Sequence, residues 1–194
     1  MKILILSAST SGTKTKKVTA TFTKIMRENY GTDNDISYID LQDKSMVFSD
    51  GRNYLDYTGD TAEVLSEIMQ SDVIVFGTPI YQASIPASLK NIFDLLPMSA
   101  FDRKVIGLIV TGGSPRHFLV AETQIKPIIH YMHGTIVPKY VYIVDTDFSP
   151  DGSVNDEIEF RLQTLLEDTI FVANTYTEIW SKQDDMFGCV IDLS

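Results

Sequence analysis

The chain has 194 residues, of which 44% are hydrophobic and 22% charged, and a formal net charge of −10 at pH 7. Its length fits one domain with a substantial core, and its charge disfavours nucleic acid and anionic membranes, because both are polyanions that would repel it. A single cysteine, Cys189, excludes a disulfide framework or a cysteine-based zinc site within one chain. The first apolar stretch, residues 3–6, is far too short for an export signal or a membrane span, so we expect a cytoplasmic protein.

Strands and helices are predicted to alternate along the chain. In order, they are a strand at residues 3–6, a helix at 15–29, a strand at 36–39, a helix at 61–69, a strand at 73–76, a helix at 89–96, a strand at 105–110, a helix at 119–132, a strand at 136–144 and a helix at 156–180. The first, third and fourth strands are apolar throughout, as expected of strands covered on both faces. The pattern predicts an α/β domain with helices on both faces of a parallel sheet. Residues 42–59 lack periodicity and are expected to form an irregular loop.

The segment after the first predicted strand is dense in hydroxyl groups. It reads Ser7-Ala8-Ser9-Thr10-Ser11-Gly12-Thr13-Lys14-Thr15 and leads directly into a helix. Parallel sheets bind ligands outside the carboxyl ends of their strands, and a helix N-terminus with hydroxyl and ammonium groups nearby suits a terminal phosphate. The glycine spacings of nucleotide-hydrolysing and dinucleotide-binding loops do not occur here, which disfavours ATP and tightly held NAD. The alternative is a polar loop that ends in a threonine helix cap.

Two further loops are expected at the same edge of the sheet. The loop after the third strand, residues 77–91, has two prolines and Tyr81 at its tip, and backbone N–H groups at 81–84 are expected to face the edge of a planar ring. The loop after the fourth strand contains Gly112-Gly113, where a backbone without Cβ atoms can approach a ligand closely. Each loop alone fits an ordinary turn. Three of them at three strand ends favour a ligand site.

Other patterns are weaker. His130 and His133, with Glu122 upstream, lack an H-E-x-x-H motif or a carboxylate cluster, so we expect no metal site. The chain has no G-x-S-x-G sequence, which disfavours serine hydrolase chemistry. The apolar residues of the last helix are interpreted as packing on the sheet, with a partner surface as the alternative.

Three segments share sequence patterns with one known family. Thr78-Pro79-Ile80-Tyr81, continuing to Leu89-Lys90-Asn91, resembles the flavin-ring segment of the NAD(P)H-dependent FMN reductases, with Ser88 in place of the usual alanine. Ser9 with Thr13-Lys14-Thr15 is similar to that family's phosphate loop, although the loop is slightly short and lacks one glycine.

The third segment narrows the resemblance to one branch of that family. Thr111-Gly112-Gly113 with His117, followed by Lys126-Pro127, resembles the branch that supplies reduced FMN to alkanesulfonate-type monooxygenases. The similarity covers roughly residues 1–144.

The resemblance implies a flavodoxin-like three-layer α/β sandwich whose five-stranded parallel sheet has the order 2-1-3-4-5. It also implies FMN held non-covalently and hydride transfer from NADPH or NADH to the flavin. Because the flavin itself accepts the hydride, we expect no catalytic side chain. Residues 1–183 are expected to form this single FMN-binding domain, and residues 184–194 a C-terminal tail.

The residues expected to bind FMN form three groups. The phosphate is assigned to Ser9, Thr13, Lys14 and Thr15, with Thr10 and Ser11 as backbone donors. The isoalloxazine ring is expected to contact Pro79, Ile80, Tyr81, Gln82, Ala83 and Ser84. The other side of the ring pocket is assigned to Thr111, Gly112 and Gly113, and the ribityl chain, the phosphate or a second substrate to His117.

Two classes of function fit the sequence. The first is an NAD(P)H-dependent FMN reductase that passes electrons to free flavin, a quinone, or an azo or nitro acceptor, with a flavin-dependent monooxygenase as a further recipient. The second is a flavodoxin-like electron carrier without nicotinamide chemistry. The Pro-x-Tyr and Thr-Gly-Gly segments favour the reductase. The family resemblance and the apolar helix at residues 123–132 predict a homodimer or homotetramer.

Overall fold

A parallel sheet lies at the centre of the computed structural model, which describes residues 1–150 and 152–191, with residues 187–191 by their backbone alone. Its strands are β1 (Lys2–Ser7), β2 (Asp35–Asp40), β3 (Val73–Pro79), β4 (Val105–Gly112), β5 (Thr135–Ile136) and β6 (Val141–Val144). The strands follow the order β2-β1-β3-β4-β5, β6 also pairs with β4, and the pairs are parallel. The flavodoxin-like order 2-1-3-4-5 is confirmed.

The last strand is interrupted, so the prediction of one strand over residues 136–144 is wrong. Pro138 lies between β5 and β6 and has no N–H group to donate to the ladder. Val137 still donates to Ile106 O at 2.9 Å, and β6 resumes pairing with the carboxyl half of β4. As a result, β6 and β4 end side by side, with Val144 paired to Gly112.

Within the described residues, five α-helices flank the sheet. They are α1 (Lys14–Tyr30), α2 (Gly59–Gln70), α3 (Ala87–Leu95), α4 (Lys126–Tyr131) and α5 (Asp156–Ile191). The predicted end of the last helix at Trp180 is wrong, because α5 continues through most of the predicted tail as far as Ile191. Residues 192–194 lie outside the described residues, and the domain boundary at residue 183 stays a prediction. No helix of the described chain is long and apolar enough to cross a membrane.

The predicted helix at residues 119–132 is not continuous. A π-helical turn, Ala121–Ile125, precedes α4, and the Lys126 N–H group donates to Ala121 O, five residues back. Pro127 follows directly and lacks an N–H group, so it cannot make the ordinary bond to the carbonyl four residues before it. The helical turn before Pro127 therefore contains one more residue than an ordinary α-helical turn.

Both faces of the sheet are buried. Leu4 and Leu6 of β1 pack with one layer, and the alternate residues Ile3 and Ile5 pack with the other; all four are fully buried. This confirms the prediction made from the unbroken apolar runs. The central strands are therefore fixed on two sides, and so are the positions of the loops at their ends.

The irregular loop between β2 and α2 contains two short 3₁₀ turns, Leu41–Asp43 and Tyr54–Asp56. The side-chain amide of Asn91 in α3 makes two hydrogen bonds to the backbone of this loop. Its Oδ1 accepts from Ser49 N at 2.9 Å, and its Nδ2 donates to Val47 O at 2.9 Å. The prediction of an irregular loop at residues 42–59 is thus largely confirmed. Hydrogen bonds from a side-chain amide, instead of backbone pairing with a neighbouring strand, hold the loop in place.

Helix α1 lies directly against β3. A Cβ atom added to Gly77 would lie 2.0 Å from the Cγ2 methyl of Thr19. Thr19 is fully buried, and its hydroxyl donates to Thr15 O at 2.8 Å and Lys16 O at 3.0 Å. The absence of a side chain at Gly77 therefore sets how closely the first turns of α1 approach the sheet edge.

Candidate functional site

A cleft of about 440 Å³ opens at the carboxyl ends of β1, β3 and β4. We call it the strand-end cleft. Its volume falls in the range of small-molecule sites. The three predicted loops supply most of its lining: Ser9, Ser11, Gly12, Thr13, Lys14, Thr15, Pro79, Ile80, Tyr81, Thr111, Gly112 and Gly113; Asp145 completes it.

The hydroxyl-rich loop bends at Gly12, whose φ is +78°, and then enters α1. Thr13 occupies the cap position, but its side chain makes no cap hydrogen bond with the part of the chain that the structure describes. Thr13 is therefore the N-cap residue of α1, and its hydroxyl is not used to cap the helix. The first N–H groups of a helix have no partner within it, so at this position they are donors for an anion.

Tyr81 joins the second loop to the first. Its hydroxyl donates to Ser11 O at 3.1 Å and lies 3.0 Å from Ser11 Oγ and 3.3 Å from Ser9 Oγ. Ser9 is almost fully buried and donates in turn to Ser11 O at 2.5 Å. The hydroxyl groups at this end of the cleft therefore form one connected cluster.

A tight turn carries Tyr81 at the cleft. Gln82 and Ala83 both have left-handed backbones, with φ of +49° and +59°, as in hairpin turns of the primed type. Tyr81 N donates to Ser84 O and Ser84 N to Tyr81 O, each at 3.0 Å. These two N–H groups are used inside the turn, so the expectation that they face a flavin ring is wrong.

Thr111, Gly112 and Gly113 form one wall of the cleft. Thr111 Oγ1 lies 2.7 Å from Thr15 Oγ1, a buried contact between β4 and α1. A Cβ atom at Gly112 would lie 2.3 Å from the hydroxyl of Tyr142, which donates to Ser114 O at 2.7 Å. Burial raises the pKa of Tyr142, which keeps this donor protonated. Tyr142 therefore requires a glycine at position 112, whereas a Cβ atom at Gly113 would meet nothing within 4 Å.

Five predicted site residues lie outside this lining. Thr10 is exposed on the loop after β1, and His117 is half-buried in the short turn Pro115–His117. The other three, Gln82, Ala83 and Ser84, form the turn beyond Tyr81, where Ser84 Oγ donates to Gln124 Oε1 at 2.7 Å. Their assignments to FMN stay predictions.

Two lining residues were not assigned from the sequence: Gly12, within the first loop, and Asp145, outside all three loops. Asp145 follows β6, and its Oδ1 lies 2.6 Å from Lys14 Nζ. The same ammonium lies 5.5 Å from the centre of the Phe148 ring. An aspartate after a short strand gives no signal in the sequence, because its place depends on β6 resuming its pairing with β4.

The donors of the cleft fit a flavin mononucleotide in chemical type. Hydroxyl groups, the start of α1 and one ammonium lie at one end, as an anionic phosphate requires. Pro79 and Ile80 supply apolar surface, and the paired glycines supply backbone without side chains, which suit a planar ring. In the described residues, no group of three or more His, Cys, Asp and Glu side chains is placed to hold a metal ion.

The sheet order and the position of the cleft define a flavodoxin-like α/β protein. The family model for NADPH-dependent FMN reductase matches residues 1–149. The chain therefore belongs to the NADPH-dependent FMN reductase family.

Individual relatives agree with this family. An NAD(P)H-dependent FAD/FMN reductase from Geobacillus thermodenitrificans is 36% identical over 170 residues, which cover 85% of this chain and 89% of the relative. An FMN-dependent NADPH-azoreductase from Staphylococcus aureus is 29% identical over 165 residues, 76% of this chain and 82% of the relative. The crystal structure of an NADH:FMN oxidoreductase in its apo form has a TM-score of 0.68 and 26% identity, covering 86% of each chain.

Proposed function

We propose that this protein transfers hydride from NADPH or NADH to FMN bound in the strand-end cleft. The observation that carries the proposal is the meeting of the hydroxyl cluster, the start of α1 and the glycine wall in one cleft of a chain from this reductase family. The names of its relatives, an FAD/FMN reductase and an NADPH-azoreductase, support the same chemistry.

In this proposal the side chains of the cleft bind FMN and orient its ring. Ser9, Ser11 and Thr13 supply hydroxyl groups to the phosphate, and the first N–H groups of α1 supply the helix dipole. Ile80 and Gly113 flank the ring and exclude water from one of its faces. Bound FMN supplies the hydride-accepting ring, so the protein has to hold it with one face open to a nicotinamide.

The electron-carrier alternative is not favoured. The chain belongs to a family of reductases, and the relatives reported above carry the names of nicotinamide-dependent enzymes. A carrier would hold FMN yet consume no nicotinamide, so a kinetic measurement separates the two classes.

That measurement is the oxidation of NADPH and of NADH by the purified protein, with and without added FMN. We expect one or both nicotinamides to be consumed under air, at a rate that rises with FMN until the cleft is saturated. Riboflavin should need higher concentrations, because it lacks the phosphate. A protein that binds FMN but oxidises neither nicotinamide, even with quinone or free flavin added, would be a carrier.

The electron acceptors beyond FMN are free flavin, a quinone or an azo or nitro compound in this proposal, and the azoreductase relative supports the last of these. A flavin-dependent monooxygenase is a further recipient, supported by the Thr111-Gly112-Gly113 segment. The net charge of −10 supports small-molecule substrates, without nucleic acid or membrane partners. We also propose that the protein works in the cytoplasm, as its single cysteine favours.

A homodimer or homotetramer is part of the same proposal. The groove between α3 and α4 is bordered by exposed apolar side chains: Met98 is 56% exposed and Tyr131 is 67% exposed. Phe118 and Leu119, each about half exposed, lie in the segment that precedes α4. Exposed apolar groups in such number are typical of an interface.

Light scattering at micromolar concentration should therefore give a mass of at least two chains, and Tyr131→Glu should lower it. Phe171→Glu is the matched control, because Phe171 is 72% exposed on α5, which packs in the other layer from α3 and α4. A wild-type protein that scatters as a single chain would exclude the oligomer.

A further inference from the structure

The ion pair between Lys14 and Asp145 crosses the mouth of the strand-end cleft. Lys14 is the first residue of α1, and Asp145 follows β6, so the pair joins the start of α1 to the end of the last strand. Their Nζ and Oδ1 atoms lie 2.6 Å apart, and the side chains are 46% and 56% exposed. Both side chains line the cleft.

This pair holds all the formal charge among the described residues that line the cleft. A second ammonium in the first turn of α1, that of Lys16, is bound elsewhere: its Nζ lies 2.7 Å from Asp40 Oδ2 and 3.2 Å from Asp43 Oδ2. Hydrogen bonds to these carboxylates raise the pKa of Lys16, which keeps it charged and bound to them. A phosphate in the cleft would therefore meet one ammonium that already has a carboxylate partner.

We propose that Asp145 competes with the FMN phosphate for Lys14 and thereby keeps FMN exchangeable between the protein and solution. The proposal deepens and rests on the proposed function, because it concerns the affinity of the same cleft for the same flavin. It assigns Asp145 the role of setting that affinity, with no part in hydride transfer.

The physical argument follows from charge. A phosphate monoester carries about −1.5 to −2 charges near neutral pH, so a carboxylate within contact distance of its ammonium partner repels it. Breaking an exposed ion pair costs little by itself, but the freed carboxylate stays tethered at the mouth of the cleft. Hydroxyl groups and helix N–H donors still bind the phosphate, and the negative charge of Asp145 lowers the affinity that they provide. A flavin held in this way leaves readily.

The test compares the dissociation constants of FMN and riboflavin, measured by flavin fluorescence at low ionic strength, in wild type, Asp145→Asn and Asp43→Asn. Asp43→Asn is the matched control, since it also removes a carboxylate paired with a first-turn lysine of α1, but outside the cleft. Asp145→Asn should bind FMN roughly tenfold more tightly, with a correspondingly slower dissociation, while its riboflavin affinity stays unchanged. The gain should shrink as salt is added.

An unchanged ratio of FMN to riboflavin affinity in Asp145→Asn would overturn the proposal, as would an equal gain in Asp43→Asn. A wild-type protein that binds neither flavin would contradict the proposed function itself, and this inference with it. Thermal unfolding of the three proteins should coincide, because all the changes are on exposed side chains.

Discussion

Replacing Thr13 with glutamate is expected to weaken FMN binding on the order of a hundredfold. Thr13 is exposed, lines the cleft and precedes α1, so the new carboxylate would lie where the phosphate is assigned. The effect should exceed that of Asp145, whose charge is already shared with Lys14. Glutamate at the start of a helix is favourable toward the helix dipole, so the fold should not suffer. Titration of FMN by fluorescence measures the loss.

Thr21→Glu is the control for this change. Thr21 is exposed farther along α1, so the same charge is added to the same helix away from the cleft. Riboflavin affinity should change little in either variant, because riboflavin has no phosphate to repel. If Thr13→Glu binds FMN as tightly as Thr21→Glu, the phosphate does not bind at the start of α1.

Gly77→Ala should lower the free energy of unfolding by about 2–3 kcal/mol. The new methyl group would lie 2.0 Å from Thr19 Cγ2, and buried hydrogen bonds hold Thr19 in place. Either α1 moves away from β3 or Thr19 gives up its bonds, and both are costly in a close-packed layer. Urea unfolding, with the slope and midpoint compared, measures the change.

The compensating change is Thr19→Ser, which removes the obstructing methyl and keeps the hydroxyl group. Alone it should cost about 1 kcal/mol for one buried methyl. In the double variant the two losses should not add, and the coupling should exceed about 1 kcal/mol. Additive losses would mean that the contact between Gly77 and Thr19 does not limit the approach of α1.

The sequence predicts the sheet well, because the two faces of its central strands are both covered by apolar layers. Residues 3–6 and 73–76 are apolar at every position, and such runs suit only a strand buried between two layers. The resemblance of the three loops supplied the strand order. Since parallel strands end at one edge, the loops were expected to meet, and most of the residues assigned in them line one cleft.

The remaining features depend on contacts between distant parts of the chain. The break at Pro138 was not predicted, and that β6 resumes beside β4 and brings Asp145 to the cleft depends on the tertiary fold. The left-handed turn after Tyr81 has neither glycine nor asparagine at its centre, so its sequence does not predict it. The helix predicted over residues 119–132 was expected to be continuous, whereas the widened turn before Pro127 depends on the packing of that segment.

The turn at Gln82 and Ala83 has a consequence for how this site can evolve. Left-handed backbone at residues with a side chain costs roughly 1–2 kcal/mol each, so the local sequence does not favour this shape. The bonds from Tyr81 to Ser11 and from Ser84 to Gln124 help to maintain it. The first and second loops therefore depend on each other for their conformation. Substitutions in them should show epistasis, because whether a change in one loop is tolerated depends on the residues present in the other.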